Sequence, residues 1–576
     1  MPRWARGPES PSMNVFCSVR VARGCLRRVS WLRSKPATAL GLAACVGLAL
    51  ALVWSAGGAS APSGQEAFRK LLKLPVLHAE FTLRLDPEAG YVLSGGMPDQ
   101  SAEIERLNHA MQEQPADAER QFALFEIYRQ MGQSARATNH LARAVTLFRT
   151  LADMQSENAA LLAKYGRALD LASEDKEAEA VLRRSIRLGP MEWRGWSALG
   201  QLQLGKCLRT LTESLPAGTA NQPQALLAAA IKKEIAARQL HKARGDLEEA
   251  LRSTDRAVAL APKEVQPLAD RALVHAYVGM LHFIEDVLGG AESDALKLHR
   301  AMFPTNALID LQAISRLTPE DPVIWGKIGL FRLLDGAVSL GQRGAQQLST
   351  GDFWSLLTDS QRRDLQRVFT ALENLSQSGN PAVAAAALDF LGAFQWTAMR
   401  DRRGAERSLR RAIQLDPRRE MAWDFLMAVL IDADRNEEAV SAAEARLQTR
   451  DTVRNRVAAA KACDRAGRSA KAQAHLEAAL KLDREDYLAN FAGAIMVLKS
   501  ARDEEQLRRA GSLLERAGRV EGRPATRDEW LEWTTTSAIY YALNGNREAA
   551  RREFKRALAE DSANQTAKDG LALVGP

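Results

Sequence analysis

The chain has 576 residues, 46% hydrophobic and 26% charged with only 21 prolines, which excludes a single continuous core and an intrinsically disordered protein. The formal net charge of +8 lies mostly in the first 36 residues. There Arg3, Arg6, Arg20, Arg23, Arg27, Arg28, Arg33 and Lys35 face Glu9 alone, eight cations against one acid and a net +7. The near-neutral body is a poor match to a phosphate backbone, so no nucleic-acid partner is expected.

Residues 1–36 read as a basic cytoplasmic tail. After them, the stretch ATALGLAACVGLALALVW from Ala37 to Trp54 is uncharged over 18 residues. As a helix it spans about 27 Å, close to the roughly 30 Å hydrocarbon thickness of a bilayer. Residues 37–57 are therefore expected to form one N-terminal transmembrane or signal helix and to contact the membrane. All the basic residues precede it, so the tail stays in the cytoplasm and the chain after about Gly58 lies on the exported side, read as periplasmic. Small residues in SAGGASAP, including Ala59-Ser60-Ala61, also fit a cleavage site, and Pro62 opposes cutting there. A retained anchor and a secreted protein both stay open.

Residues 58–100 form a spacer. Within it, AEFTLRLDPEAGYVLS fits a short hairpin around Asp86-Pro87-Glu88-Ala89-Gly90 or an irregular connection.

From 101 to 576 apolar residues return at helical spacing. In RRGAERSLRRAIQLDPRREMAWDFL, Arg402 to Leu426, the residues Ala405, Leu409 and Ala412 line one helix face. Asp416-Pro417 ends that helix, because the residue before proline is pushed out of the helical region. A second helix begins near Glu420, with Trp423, Leu426 and Leu430 on one face. The same marks recur at Tyr165, Gly166, Ala178, Leu182, Pro190, Trp196, Leu199 and Gly200, at Pro319, Trp325 and Gly329, and at Gly545, Ala550, Phe554 and Ala557.

These marks resemble the tetratricopeptide repeat family, whose 34-residue unit carries W-x2-L-G-x2-Y, A-x3-F and P. Trp196-x2-Leu199-Gly200 matches the first element and Ala550-x3-Phe554 the second. The resemblance implies an all-α fold, a superhelical α-solenoid of stacked antiparallel helix pairs over 101–576. Prolines 190, 262, 319 and 417 are 72, 57 and 98 apart, so insertions interrupt the array. TESLPAGTANQPQ, Gly289-Gly290 and GQRGAQQLSTGDFWS are the expected interruptions. The tail SANQTAKDGLALVG supplies a capping helix.

In that family the first helices line a concave surface that binds other polypeptides. The resemblance thus makes Arg167, Asp170, Arg194, Gln201 and Asp424 candidate groove residues. The slots near Asp424, Ala428 and Ala458 are acidic or apolar and do not match the Lys, Asn and Arg with which some members hold a C-terminal carboxylate.

No P-loop, G-x-S-x-G, H-E-x-x-H or dinucleotide fingerprint occurs, so no catalytic residue, cofactor or metal ligand is assigned. His275, His282 and His299 read as helix-face histidines, and Cys207 and Cys463 as buried apolar residues. Trp196, Trp325 and Trp423 read as core filling. The eight arginines of RDRRGAERSLRRAIQLDPRRE read as a solvated helix surface or, more sharply, a site for an acidic partner. The expected function is a noncatalytic, membrane-tethered scaffold that recruits or assembles envelope proteins. The alternative is an enzyme subunit that uses the repeats to recognise substrate.

Overall fold

The structure, a computed structural model, describes residues 64–74, 82–86, 90–94, 101–114, 117–130, 134–212, 235–290, 300–301, 303–341, 354, 357–520 and 527–575. In chain order the elements are α1 Gly64–Leu71, β1 Thr82–Asp86, β2 Gly90–Ser94, α2 Ser101–Glu113, α3 Ala118–Gln130, α4 Ser134–Met154, α5 Ala159–Leu171 and α6 Asp175–Leu188. Then come α7 Trp193–Thr212, α8 Ala237–Leu260, α9 Val265–Leu288, α10 Thr305–Leu317, α11 Pro322–Gly341, α12 Asp359–Leu375, α13 Pro381–Thr397, α14 Arg402–Leu415 and α15 Glu420–Asp432. The last are α16 Asn436–Thr449, α17 Val453–Arg465, α18 Ser469–Leu482, α19 Tyr487–Ser500, α20 Glu504–Arg519, α21 Arg527–Leu543, α22 Arg547–Glu560 and α23 Gln565–Val574.

Short polar residues start these helices. Asn158, Thr358, Asp401, Thr452, Asp486, Asp503, Asn546 and Asn564 each accept a hydrogen bond from a backbone N–H in the first turn. The expected stop at Asp416 is observed, and the next helix begins at Glu420. Within a pair, small residues admit the partner helix. A Cβ on Gly392 of α13 would lie 2.6 Å from Leu409 Cγ of α14, and one on Gly200 of α7 would lie 2.6 Å from Thr254 Cγ2 of α8. Ala405, Leu409 and Ala412, read from the sequence as one apolar face, are all fully buried.

The chain divides into two compact units, one containing residues 79–429 and the other residues 430–576 with the segment that includes α1. In the first, helices pair as α3/α4, α5/α6, α7/α8, α9/α10, α11/α12 and α13/α14. First helices also touch first helices of the next pair, as α5 does α7, α7 does α9, and α11 does α13, to a degree that second helices do not match. That asymmetry puts the first helices on the inner side of the stack. α7, α8 and α9 run to 20, 24 and 24 residues, which accounts for the uneven proline spacing. Gly289 and Gly290 end α9, with Gly290 at φ +93°, a left-handed conformation that glycine adopts freely.

The segment at 82–94 resolves as the hairpin and not as an irregular spacer. β1 and β2 pair antiparallel, with Thr82 opposite Ser94 and Asp86 opposite Gly90, and the hairpin packs on α9 and α11. It is the one departure from helix among the described elements.

In the second unit the pairs are α17/α18, α19/α20 and α21/α22, and α23 packs on both α21 and α22 as the expected capping helix. α17 begins 33 residues after α15, and α19 begins 34 after α17, so here the period is close to that of the family. α1 packs against α19, α21 and α23. The tail 1–36, the apolar segment 37–57, and the bulk of TESLPAGTANQPQ and GQRGAQQLSTGDFWS lie outside the described residues. Among the described residues no helix is long and apolar enough to cross a membrane.

Candidate functional site

The inner side of the first unit carries a cluster of polar groups built from four first helices. At its centre Asp270 of α9 is buried and accepts hydrogen bonds from Ser197 Oγ, from Gln201 Nε2 at 2.9 Å and from Gln266 Nε2 at 2.8 Å. Ser197 and Gln201 belong to α7, so the carboxylate ties one first helix to the next. Burial pushes Asp270 above the usual carboxylate range, against the pull of the Ser197 hydrogen bond and the Arg167 charge.

Arg167 of α5 is the cation of the cluster. Its Nη1 lies 2.7 Å from Asp170 Oδ2, one turn along the same helix. Asp170 is also buried, and desolvation holds it above its ordinary value although Arg167 and Arg209 oppose the shift. Arg167 acts as well on Glu126 of α3, which is exposed to solvent. Desolvation raises Glu126 too, with Arg167 and Arg129 pulling it back. Lys164 Nζ and Glu119 Oε1, 2.5 Å apart, form a second link between α5 and α3.

Arg167 therefore acts on carboxyl groups from three helices, with Arg129 and Arg209 acting on one of them each. Asp170 and Asp270 are raised because burial outweighs the positive charge nearby, and the more accessible Glu126 is raised by partial desolvation. Glu126 and the half-buried Arg167 face solvent, while Asp170, Ser197, Gln201 and Asp270 form the buried layer behind them.

Of the sequence candidates, Arg167, Asp170 and Gln201 meet here, but Asp170 and Gln201 are buried supports. Arg194, at the start of α7, is exposed, pairs with Glu192 at 3.0 Å and stacks over Trp193, so it does not join the cluster. Asp424 is half-buried on α15, three helix pairs beyond α9. Asp270, Ser197 and Glu126 were missed. An acidic residue inside the apolar run VQPLADRALVHAYVG was the available signal for Asp270.

Other groups singled out by sequence serve structure. His282 is exposed, and His275 is half-buried near Asp310 and Arg271, its ring held neutral by burial. His299 lies outside the described residues. Of the eight arginines, Arg419 departs from the solvated reading: it is buried and donates from Nε to Asp389 of α13. Trp423 is buried, whereas Trp196 and Trp325 are half-buried.

In the second unit, Glu444 of α16, Cys463 of α17 and His475 of α18 bring an oxygen, a sulfur and a nitrogen within 4.8 Å of one another. This grouping was invisible in sequence because it draws on three helices. Cations already stand beside it: Lys471 pairs with Glu444, and Arg456, held 2.6 Å from Asp451, lies 3.4 Å from His475 Nδ1. Burial pushes the thiol up and the imidazole down, so the thiol and the ring are neutral. Two fixed positive charges oppose a metal ion there.

No protein-family model matches the sequence, and no curated protein matches it. The chain is similar to several solved structures. Yeast Tom70 is 13% identical, over 82% of this chain and 90% of that one, with a TM-score of 0.37. A tetratricopeptide repeat protein from Parabacteroides merdae is 14% identical over 52% and 98%, with a TM-score of 0.31. The APC/C hetero-tetramer Cut9-Hcn1 is 11% identical over 82% and 92%, with a TM-score of 0.33. The likeness is one of fold alone.

Proposed function

We propose that the protein is a noncatalytic interaction scaffold and that the inner face over α3, α5, α7 and α9 binds a polypeptide segment carrying basic residues. The observation that supports this reading is the gathering of Glu126, Asp170 and Asp270 from three first helices around Arg167, with Glu126 open to solvent. A Lys or Arg brought by a partner against the solvent-facing Glu126 pairs with it and favours the ionised form of its carboxyl. The buried hydrogen bonds to Asp270 hold α7 and α9 in register, so the face is set before binding.

In the same reading residues 37–57 anchor the chain in a membrane, residues 1–36 remain in the cytoplasm, and both helical units work on the exported side upon envelope proteins. Uncharged residues at bilayer length and the one-sided placement of arginine support the tether. Protease added to intact cells with permeabilised outer envelopes should digest the helical units; full protection of them sinks the exported orientation. The binding reading is tested by a photo-crosslinker placed at Ile127, with the crosslinked partner peptide sequenced. Lys- or Arg-containing partner segments, lost in a Glu126→Lys chain, support it. Crosslinks that are unchanged in that variant overturn it.

A further inference from the structure

The chain covers its own inner helices. In the second unit α1 lies on the first helices α19 and α21 and on α23. Phe68, Leu72 and Leu74 are buried there, while Gln65, Glu66, Lys70 and Lys73 are exposed. Phe68 lies near the end of α1 and Leu72 and Leu74 just beyond it, so the segment is seated by its apolar side chains while the flanking charged residues stay exposed. In the first unit the hairpin likewise lies on the first helices α9 and α11.

The seat fits α1 poorly at one position. Arg69 Nε is buried without a hydrogen-bond partner, and Nη2 reaches only Gln65 Oε1, at 3.4 Å. Arg502, in the turn between α19 and α20, stands near enough for the two guanidinium charges to repel, and Glu66 offsets this only in part. A donor buried unpaired and a like charge beside it both weaken the contact.

We propose that α1 is an intramolecular stand-in for a ligand: the inner face of the second unit is a seat for an amphipathic helix of a partner polypeptide, which displaces α1. That helix presents large apolar side chains where Phe68, Leu72 and Leu74 sit and a carboxylate where Arg69 sits, so that it pairs with Arg502. The idea rests on the scaffold reading for its assumption of a polypeptide partner, but it uses a different surface. Because α1 belongs to the same chain it competes with a free ligand intramolecularly, and the mismatch at Arg69 leaves it displaceable.

The test uses the full chain and two fluorescent peptides, GQEAFRKLLKL and the same peptide with Arg69→Glu. A chain carrying Phe68→Ala and Leu72→Ala has an open seat. It should bind the Arg69→Glu peptide at least tenfold more tightly than the unsubstituted one, and Arg502→Glu should reverse that order. The unsubstituted chain should bind both at least tenfold more weakly than the opened chain. A folded, opened chain that binds neither peptide, or shows no preference between them, overturns the proposal, as does equal binding by the closed chain. If the opened chain does not fold, Arg69→Glu alone in the full chain should slow amide exchange across residues 64–74 several-fold, and unchanged or faster exchange overturns it. Neither readout involves Glu126 or Arg167, so failure here is distinguishable from failure of the basic-segment reading.

Discussion

The indole N–H of Trp423 donates to the carbonyl oxygen of Pro417 at 2.8 Å, six residues back across the turn between α14 and α15. Trp196 does the same to Pro190 at 3.1 Å and Trp325 to Pro319 at 2.9 Å. In the second unit Asn490 Nδ2 donates to the Arg484 carbonyl at 2.8 Å, again six residues back. Proline stops one helix, and the bond to its carbonyl fixes where the next begins. Trp423→Phe keeps most of the ring and loses the bond, for a cost of about 1 kcal/mol, whereas Trp423→Ala also leaves a cavity and costs about 3–5 kcal/mol. Urea unfolding followed by helix content should rank the two variants in that order; equal losses would remove the hydrogen bond from the account.

Asp389 of α13 is fully buried, and burial pushes its carboxyl up to about 7 despite Arg419 at its side. A carboxyl raised on folding contributes stability below its unfolded value near 3.8 and loses it as pH rises through about 7. The unsubstituted chain should therefore lose stability relative to Asp389→Asn as pH is taken from 5 to 8. Melting temperatures of both chains across that range give the comparison. A gap that stays constant with pH would contradict the assignment.

Lys461 of α17 is half-buried, and burial lowers its ammonium to about 8, with Glu532 of α21 opposing the shift. At pH 7.5 roughly a quarter of it is neutral, a fraction far above that of a lysine at 10.5. A brief acetylation pulse read by mass spectrometry should label Lys461 faster than exposed Lys481, and Glu532→Gln should speed it further. Labelling slower than Lys481 would speak against the shift.

At Gly392 the facing atom is the branch carbon of Leu409, and the Ala405 carbonyl oxygen lies 3.3 Å from the same added Cβ. Neither can retreat without moving α14. Gly392→Val should cost about 1–3 kcal/mol by overpacking, and a joint Leu409→Ala change should recover part of it. Thermal unfolding of the single and double variants measures that coupling.

The alternation that made α14 and α15 legible is local: Ala405, Leu409 and Ala412 on one face, then Asp-Pro, then Trp423. Such patterns disclose helix pairs because each face must be buried by its neighbour. The pairing of α7 with α8 was less legible, since both helices exceed the family length and the stretch between them is an insertion. The candidate site was half legible. Arg167 does reach the inner face as expected, but Asp170 and Gln201, candidates for the same groove, are buried behind it. Gln201 bonds Asp270, about 70 residues further on, and no local pattern reports a hydrogen bond between two helix pairs. The covering of α19 and α21 by α1 is likewise a long-range contact with no mark in the sequence.

The most direct test of the central claim is selection of a random peptide library on the full chain, run in parallel on Glu126→Lys. Enriched peptides rich in Lys or Arg, crosslinking to α3 through α9 and lost in the variant, are the predicted result. Enrichment of acidic peptides, or a selection that the variant leaves unchanged, would contradict a cation-seeking inner face.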